Sequence, residues 1–493
     1  MANKTDEKQS FLKLMGSFKT PFWLASAMEL FERWAWYGLF AVLALYLTGS
    51  TDEGALGFSH IEKGQIMGYV TAILYLLPLF TGVISDKIGY KLSLIIAYVM
   101  LISGYYFMGE VTSYFSVFLV FLYVAIGAAI FKPVASAIIT KSTDKSNSTL
   151  GFGIFYMMVN IGGFIGPAFS STLRTQYGWK IVFIQAAIVI FINLLIVIFF
   201  FKEPERKKNE ESISEALISS LRNIWEAVKD SRLSVLLVIM VGFWTMFNQL
   251  FYTLPTFIED WIDTSALHDS ISQLSPWLAS FMSGGGTSVN PEMLINIDAG
   301  AIVILQLLVS FYVLKMRHVS AMITGFIVAA IGIGITFYTG NGLYTILGIV
   351  IFSVGEMMTN PTFSSFIALI SPKGKEALYM GTYFVPVFVG NLLTTFVSGN
   401  LYQAWSDKLS LLKTEMATRG LSMPSISEEF SKNDYFTLAS EKLEMTQNQM
   451  TQMIWDTYQP NKIWYVIVGI GVVTILALFA YDNLVIKPKE RVS

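Results

Sequence analysis

The sequence predicts an all-α polytopic membrane protein with about twelve transmembrane helices. Of its 493 residues, 54% are hydrophobic and only 14% are charged, and the mean hydropathy is +0.57. This composition is too apolar for a soluble domain of such length. The apolar residues occur in long stretches, each close to the roughly 20 residues that a helix needs to cross a bilayer. The lipid bilayer is therefore the expected surrounding of the helices.

Twelve such stretches divide into two sets of six. The predicted spans lie near 22–47, 64–85, 92–109, 113–140, 150–173, 180–201, 233–257, 296–315, 320–339, 342–370, 378–400 and 462–483. An N-terminal six-helix half, 1–201, is thus joined to a C-terminal half, 233–493, by a charged linker, 202–232. Within the linker, the stretch ISEALISSLRNIWEAV has apolar residues at helical spacing and predicts an interfacial helix.

The distribution of basic residues predicts the orientation. Of the 33 Lys and Arg residues, 22 lie in the N-terminal tail, the even-numbered connections and the C-terminal tail. Because basic residues are retained in the cytoplasm, both termini are expected there. The long segments 258–295 and 401–461 are then extracytoplasmic. The N-terminal tail lacks the features of a cleavable signal peptide, and a plasma (inner) membrane protein is expected.

Composition also bears on other classes of function. Cysteine is absent and the basic residues are scattered, so a thiolate metal site is excluded and nucleic acid is not an expected partner. No embedded H-E-x-x-H motif, paired Asp motif or cysteine nucleophile is present, and we expect no enzyme, catalytic residue, metal or cofactor other than a coupling proton. A channel would not explain the charged residues inside the spans.

A short motif between the second and third spans is typical of a transporter gate. Gly82, Asp86, Gly89 and Lys91 form G-x-x-x-D-x-x-G-x-K. Glycines let helix ends approach closely, and Asp86 and Lys91 can join a charge cluster that favours one gate state; a chance interfacial loop is the alternative. With its two six-helix halves, the chain resembles the major facilitator superfamily, whose halves rock about a site near the midplane. Another twelve-span bundle is the competing interpretation.

Charged residues inside spans point to function, because each costs about 2.5–3.5 kcal/mol at the bilayer centre. In the first span, Glu29, Glu32 and Arg33 share one helix face with Trp36 and Tyr37. This face is predicted to point inwards.

Two further spans carry a charge beside a proline. Lys132 immediately precedes Pro133 in the fourth span, and Glu356 lies between Gly355 and Pro361 in the tenth. Since proline removes a backbone donor, both helices are expected to bend near the charge.

Three of these embedded charges are carboxylates and two are cations. The five residues are Glu29, Glu32, Arg33, Lys132 and Glu356. One bound proton would neutralise the excess. We expect Lys132 to pair with Glu29 or Glu32 until a substrate carboxylate competes for it, and the released Glu then to take up a proton. Pairing that merely holds the helices together is the alternative.

The remaining titratable residues are assigned no coupling role. The histidines, His60, His268 and His318, fall in connections or at span ends. Asp298, near the start of the eighth span, is interpreted as a charge at a helix N-terminus, and a pathway residue is the alternative.

At this point the chain resembles the proton-dependent oligopeptide transporters of the major facilitator superfamily. Their first-span signature, E-x-x-E-R-F-x-Y-Y-G, is matched here by Glu29, Glu32, Arg33, Trp34, Trp36, Tyr37 and Gly38. The fifth-span signature, F-Y-x-x-x-N-x-G, is matched by FYMMVNIGG around Asn160. Tyr75, Lys132 in F-K-P and Glu356 also occupy positions like those of the family.

The resemblance implies a proton-coupled symporter that imports di- and tripeptides by alternating access. Arg33 and Lys132 would attract the peptide carboxylate, and Glu356 would hold the amino terminus. The implied contacts to the peptide backbone or termini are Tyr37, Tyr75 and Asn160.

The chain also departs from the family pattern. Val134 replaces a common Asn, Tyr383 a common Trp, and the seventh span has Asn248 and Gln249 but no acid at its middle. A transporter of nitrate, an amino acid or a drug-like zwitterion with the same fold remains the alternative. The linker is too short for two extra spans, so twelve are expected and not fourteen.

Single cysteines can test the predicted topology, because the chain has none of its own. Glu210→Cys should react with an impermeant maleimide only after the membrane is permeabilised, whereas Phe430→Cys should react in intact cells, because the basic residues keep the linker inside. Labelling of Glu210→Cys from outside, or of Phe430→Cys only from inside, would contradict the twelve-span arrangement.

Overall fold

A computed structural model describes residues 15–144, 147–203, 212–336, 340–372 and 376–487. Both tails and part of the predicted linker, residues 204–211 with Glu210, lie outside these described ranges. Within them the regular secondary structure is helical, and β-structure is limited to two isolated bridges.

The first half contains seven helices that form six spans. These helices are α1 Thr20–Thr48, α2 His60–Leu76, α3 Pro78–Ile88, α4 Tyr90–Met108, α5 Tyr114–Ser142, α6 Ser148–Tyr177 and α7 Trp179–Phe199. The axis bends by 47° between α2 and α3, which together form the second span. Proline has no amide donor, so the bend falls at Pro78.

The linker and the second half contain the remaining helices. They are α8 Ile213–Val228, α9 Ser231–Phe247, α10 Gln249–Tyr252, α11 Leu254–Trp261, α12 Ser265–Leu274, α13 Pro276–Ser283, α14 Pro291–Val313, α15 His318–Thr336, α16 Gly342–Ile370, α17 Glu376–Gly381, α18 Phe384–Thr395, α19 Tyr402–Trp405, α20 Lys408–Thr418, α21 Lys432–Lys442, α22 Gln447–Tyr458 and α23 Lys462–Tyr481. Helix α8 covers the predicted amphipathic stretch, and a reciprocal capping box between Ser212 and Glu215 begins it.

Within the described residues, eleven segments are long and apolar enough to cross a bilayer when the bent pair counts as one span. Ten are long and apolar enough by themselves, and the bent pair α2–α3 is an eleventh. Helix α1, at the position of the predicted first span, is 29 residues long and so long enough to cross as well, but Glu29, Glu32 and Arg33 make it less apolar than the other eleven. The predicted all-α polytopic fold is therefore confirmed.

Close approach of α1 to α6 brings the first-span charges next to the fifth span. A Cβ atom at Gly166 would lie 2.7 Å from the amide nitrogen of Gly38, and one at Gly38 would lie 2.8 Å from Ser170 Oγ. Only glycine fits there, because the two backbones are in contact. This packing fixes Arg33 and Tyr37 against α6.

The segment 401–461, whose role the sequence did not reveal, folds into α19 to α22. We call residues 402–458 the helical cap. Its apolar side chains, including Leu412, Met416 and Ile454, are buried in the same core as Trp464 of α23. The cap is therefore a packed part of the second half, and the two ends of the molecule are called here the cap end and the linker end.

Gly166→Ala should destabilise the protein, because the added methyl group would overlap the backbone of α1. Overpacking of this kind costs about 1–3 kcal/mol. Gly153→Ala is the matched control, since a Cβ there meets nothing within 4 Å and alanine favours a helix. Thermal unfolding in detergent should show a lower midpoint for Gly166→Ala alone. Equal midpoints for the two variants would contradict the tight packing.

Candidate functional site

A cavity of about 210 Å³ lies between the two halves. Helices α1, α2 and α6 supply its first-half wall, and α9, α14, α16 and α18 supply most of the opposite wall. Polar residues of the lining include Tyr37, Thr71, Tyr75, Tyr156, Asn160, Asn248, Asn296, Asp298, Glu356, Asn360 and Asn391. The volume is below the roughly 300–1,000 Å³ of pockets for drug-sized ligands, so a small solute is the best match.

The structure brings four of the predicted substrate-binding residues to this cavity: Tyr37, Tyr75, Asn160 and Glu356. The two predicted cations lie behind the tyrosines. The Arg33 guanidinium carbon is 5.7 Å from the ring centre of Tyr37, and Lys132 Nζ is 4.6 Å from that of Tyr75. Each tyrosine thus separates a cation from the cavity, and a cation–π contact stabilises each arrangement.

Arg33 is held by both acids of its own helix. It forms an ion pair with Glu32, and its Nε lies 3.4 Å from Glu29 Oε1. The expected pair of Lys132 with Glu29 or Glu32 is not formed, since no carboxylate of the described residues lies within ion-pair distance of Lys132. The physical reason is position along the helix, because Arg33 follows Glu29 by one turn.

The second-half wall carries two carboxylates. Asp298 is 5% exposed, and Ser353 donates a 2.5 Å hydrogen bond to its Oδ1. Glu356 follows Ser353 by one helical turn, and its Oε2 is buried without a hydrogen bond. The interpretation of Asp298 as a charge at a helix N-terminus is wrong, because it lies about two turns into α14 and lines the cavity.

The predicted gate residues lie away from the cavity, at the linker end. Tyr90 donates a 2.8 Å hydrogen bond to Asp86, and Lys91 Nζ donates to the carbonyl of Ile198. The amides of Tyr90 and Lys91 both donate to the Glu203 carboxylate. The motif thus connects the second and third spans to the end of the sixth.

At the cap end, ion pairs and hydrogen bonds join the halves. Arg174 of α6 forms two hydrogen bonds, 3.0 and 3.2 Å long, with Glu292 of α14. His60 Nε2 lies 3.4 Å from Asp407, and Lys63 Nζ donates to the carbonyl of Tyr252. Four of these five side chains are nearly inaccessible, and only Arg174 is partly exposed. The cavity is therefore closed at this end.

The helical cap adds a second connection there. Asn433 Nδ2 donates to Asp52 and Glu53 of the first connection, at 3.0 and 2.8 Å. Gln403 Oε1 accepts from the amide of Ile61 at the start of α2. The cavity is less enclosed towards the linker end, because Tyr156, which lines it there, is 44% exposed.

One cluster at the cap end has ligand types suited to a metal. His60, Asp260 and Asp407 are buried, and their ligand atoms lie within 4.8 Å of one another. Lys63, fully buried beside them, interacts electrostatically with both carboxylates. The side-chain amine of Lys63 therefore lies where it can offset part of the negative charge of these acids.

Sequence reasoning missed this closure. The predicted second span, 64–85, begins after Lys63, but Lys63 lies inside α2 and is 0% exposed. Its spacing from His60, one helical turn, was an available signal. The partners Asp260 and Asp407 could not be found in this way, because their positions depend on how the second half and its cap fold.

Comparisons with known proteins agree with this architecture. The family model described as Major Facilitator Superfamily matches residues 23–291, more than half of the chain. Dipeptide and tripeptide permease B of Aliivibrio fischeri (strain MJ11) is 31% identical over 198 residues, which is 38% of this chain and 37% of that protein. Dipeptide and tripeptide permease A of Escherichia coli (strain K12) is 26% identical over 48% of this chain and 46% of that protein. The chain thus aligns with less than half the length of these curated relatives.

Solved structures match nearly the whole chain. A mutant of the peptide transporter POT in complex with alafosfalin superposes with a TM-score of 0.67 at 15% identity, over 94% of this chain and 95% of that one. A mutant of the nucleoside transporter NupG gives 0.68 at 12% identity, over 94% and 100%. At these identities the match shows the fold alone, so the predicted major facilitator fold is confirmed. The resemblance to the oligopeptide transporter family agrees with the names of the permeases.

Proposed function

The chain belongs to the major facilitator superfamily, and on that premise we propose that it imports di- and tripeptides together with protons by alternating access. One observation carries the proposal. The cavity between the halves has carboxylates on the second-half wall and cations behind the tyrosines of the first-half wall. A short peptide is a zwitterion, and losing water from both of its ends is tolerable only when each end meets an opposite charge.

Each peptide terminus has suitable partners in this proposal. Glu356 pairs with the ammonium group, supported by its buried oxygen that accepts no hydrogen bond. Lys132, which has no carboxylate partner among the described residues, pairs with the peptide carboxylate. Arg33 also pairs with the peptide carboxylate once its guanidinium group breaks its contact with Glu29 or Glu32. Tyr37, Tyr75 and Asn160 contact the peptide between its ends.

Coupling to protons follows from the same competition. In the structure Arg33 balances Glu29 and Glu32 with help from nearby Lys132. When a peptide carboxylate draws Arg33 or Lys132 away, Glu29 or Glu32 loses its cation in a low-dielectric site and takes up a proton. Proton and peptide then cross together. One proton moving down 100 mV supplies about 2.3 kcal/mol, enough for roughly 50-fold accumulation.

The proposal includes an orientation. The chain is an integral membrane protein, placed here in the plasma (inner) membrane with both termini in the cytoplasm and the helical cap outside. The structure then represents a state closed to the outside by Arg174–Glu292 and His60–Asp407. Asp86 and Lys91 act at the opposite gate.

A second candidate is a nucleoside transporter, favoured by the superposition on NupG. A neutral nucleoside needs no pair of carboxylates such as Asp298 and Glu356, so the charges of the cavity favour the peptide. Uptake of labelled dialanine and of labelled uridine into proteoliposomes, with an inward proton gradient, decides between them. Accumulation of uridine alone would overturn the peptide proposal.

Glu356→Gln should abolish high-affinity binding of dialanine, because the ammonium group loses its buried partner. Loss of one member of a buried charge pair costs about 2–5 kcal/mol, which is roughly 30-fold or more in affinity. N-acetyl-dialanine, which has no ammonium group, should lose much less. Binding to the purified protein measures both ligands, with Glu110→Gln on the surface as control. Equal losses for the two ligands would remove the assignment.

Lys132→Gln should abolish accumulation driven by a proton gradient while retaining some exchange of peptide at equal pH. Without this cation a carboxylate of α1 stays protonated throughout the cycle, and Arg33 can still capture the peptide. Uptake into proteoliposomes with and without the gradient, together with counterflow, measures the two activities. The control is Lys180→Gln, which removes a lysine at the surface. Full accumulation by Lys132→Gln would contradict the coupling role.

A further inference from the structure

We infer that Asp298 and Glu356 form a two-carboxylate subsite that selects peptides whose amino-terminal residue carries a cationic side chain. With other peptides a proton takes the place of that side chain. This inference rests on the proposed function, because it requires the amino end of the substrate to lie at Glu356. It assigns to Asp298 a role in specificity.

Geometry places the two acids together. Both line the cavity, from α14 and α16, which pack against each other. Ser353 bonds Asp298 and lies one turn before Glu356 on the same helix, so the two carboxylates lie on neighbouring helix faces. Two carboxylates on one cavity wall disfavour each other's negative charge.

Cations are lacking around this pair. Within the described residues, neither carboxylate has a lysine, arginine or histidine within ion-pair distance. The titratable groups that face the pair from other helices are the hydroxyls of Tyr37, Tyr156 and Tyr383. Tyrosine is neutral near pH 7, so these groups cannot balance the acids.

The cations along the packed helices are engaged elsewhere. Arg33 pairs with Glu29 and Glu32, and Lys132 lies over the ring of Tyr75. Further ion pairs join Arg174 to Glu292, Arg232 to Asp230 and Arg317 to Asp482. His318, at the linker end of α15, contacts Ser365.

Charge balance then determines which ligand fits. The pair can carry two negative charges, and the α-ammonium group of a peptide neutralises one of them. The negative charge of the other carboxylate, left without a cation in a water-poor cavity, is unfavourable. It is removed either by a proton or by a second ammonium group on the same residue of the ligand. An amino-terminal lysine provides both ammonium groups.

Two isomeric dipeptides test this subsite. Lys-Ala presents both cations at the amino end, whereas Ala-Lys carries the second one at the end expected near Arg33 and Lys132. The wild-type protein should bind Lys-Ala more tightly than Ala-Lys, and the difference should disappear in Asp298→Asn. Asp298→Glu should restore it, which separates loss of charge from loss of folding. Equal affinity of the wild type for the two isomers would overturn the inference.

The pH dependence gives a second readout. Above the pH at which the empty pair becomes fully ionised, binding of Ala-Ala requires uptake of a proton. Its dissociation constant should therefore rise about tenfold per pH unit. Lys-Ala, which brings its own second cation, should lack this proton-linked rise over the range in which its lysine stays charged. Parallel pH profiles for the two ligands would contradict the subsite.

A third measurement separates this inference from the proposed function. Cadaverine, a diamine, and pentylamine, a monoamine of the same chain length, probe the acids without a peptide. Cadaverine should raise the unfolding temperature of the wild type more than pentylamine does, and Asp298→Asn should remove the difference. If this result holds but no dipeptide is transported, the peptide proposal fails and the dication subsite stands. If dialanine accumulates but no ligand pair is distinguished, the subsite fails and peptide transport stands.

Discussion

A charge buried between membrane helices must be neutralised, or must face a cavity where a ligand or proton can neutralise it. This constraint explains the placement of the ionisable residues in the described spans. Arg33 is held between two acids of its own helix, and Lys132 lies against the ring of Tyr75. Asp298 and Glu356, which have no cation beside them, line the cavity. The unbalanced charges are found where a solute can reach them.

The two halves solve this problem differently. In the first half, acids and cations nearly balance, and tyrosines separate the cations from the cavity. In the second half, acids alone reach the wall, assisted by Ser353 and by amide side chains such as Asn360. A solute with opposite charges at its two ends therefore has one orientation of low energy. The asymmetry of the walls can thus orient the substrate before either gate moves.

The spans and the first-span charges of the site could be predicted from the sequence. Apolar length determines a membrane helix, and the i, i+3, i+4 spacing of Glu29, Glu32 and Arg33 placed them on one face. The contacts that these charges make with other helices could not be predicted from spacing along one helix. The Lys132 pairing was wrong because a nearer cation, Arg33, occupies both acids. Asp298 was misjudged because its depth within α14 depends on where that helix begins. The helices of the helical cap are short and polar, so its sequence has no comparable pattern from which the fold could be predicted.

The hydrogen bonds of the helical cap also constrain the order in which the molecule can assemble. Asn433 meets Asp52 and Glu53 across about 380 residues of chain, so this join forms only after eleven spans have been synthesised. Contacts of such long sequence separation form slowly, because a long loop must be closed first. A nascent chain can therefore complete its first bundle and still lack the seal at its cap end. The hydrogen bonds that close the cap end can therefore form only when the second bundle is correctly placed against the first.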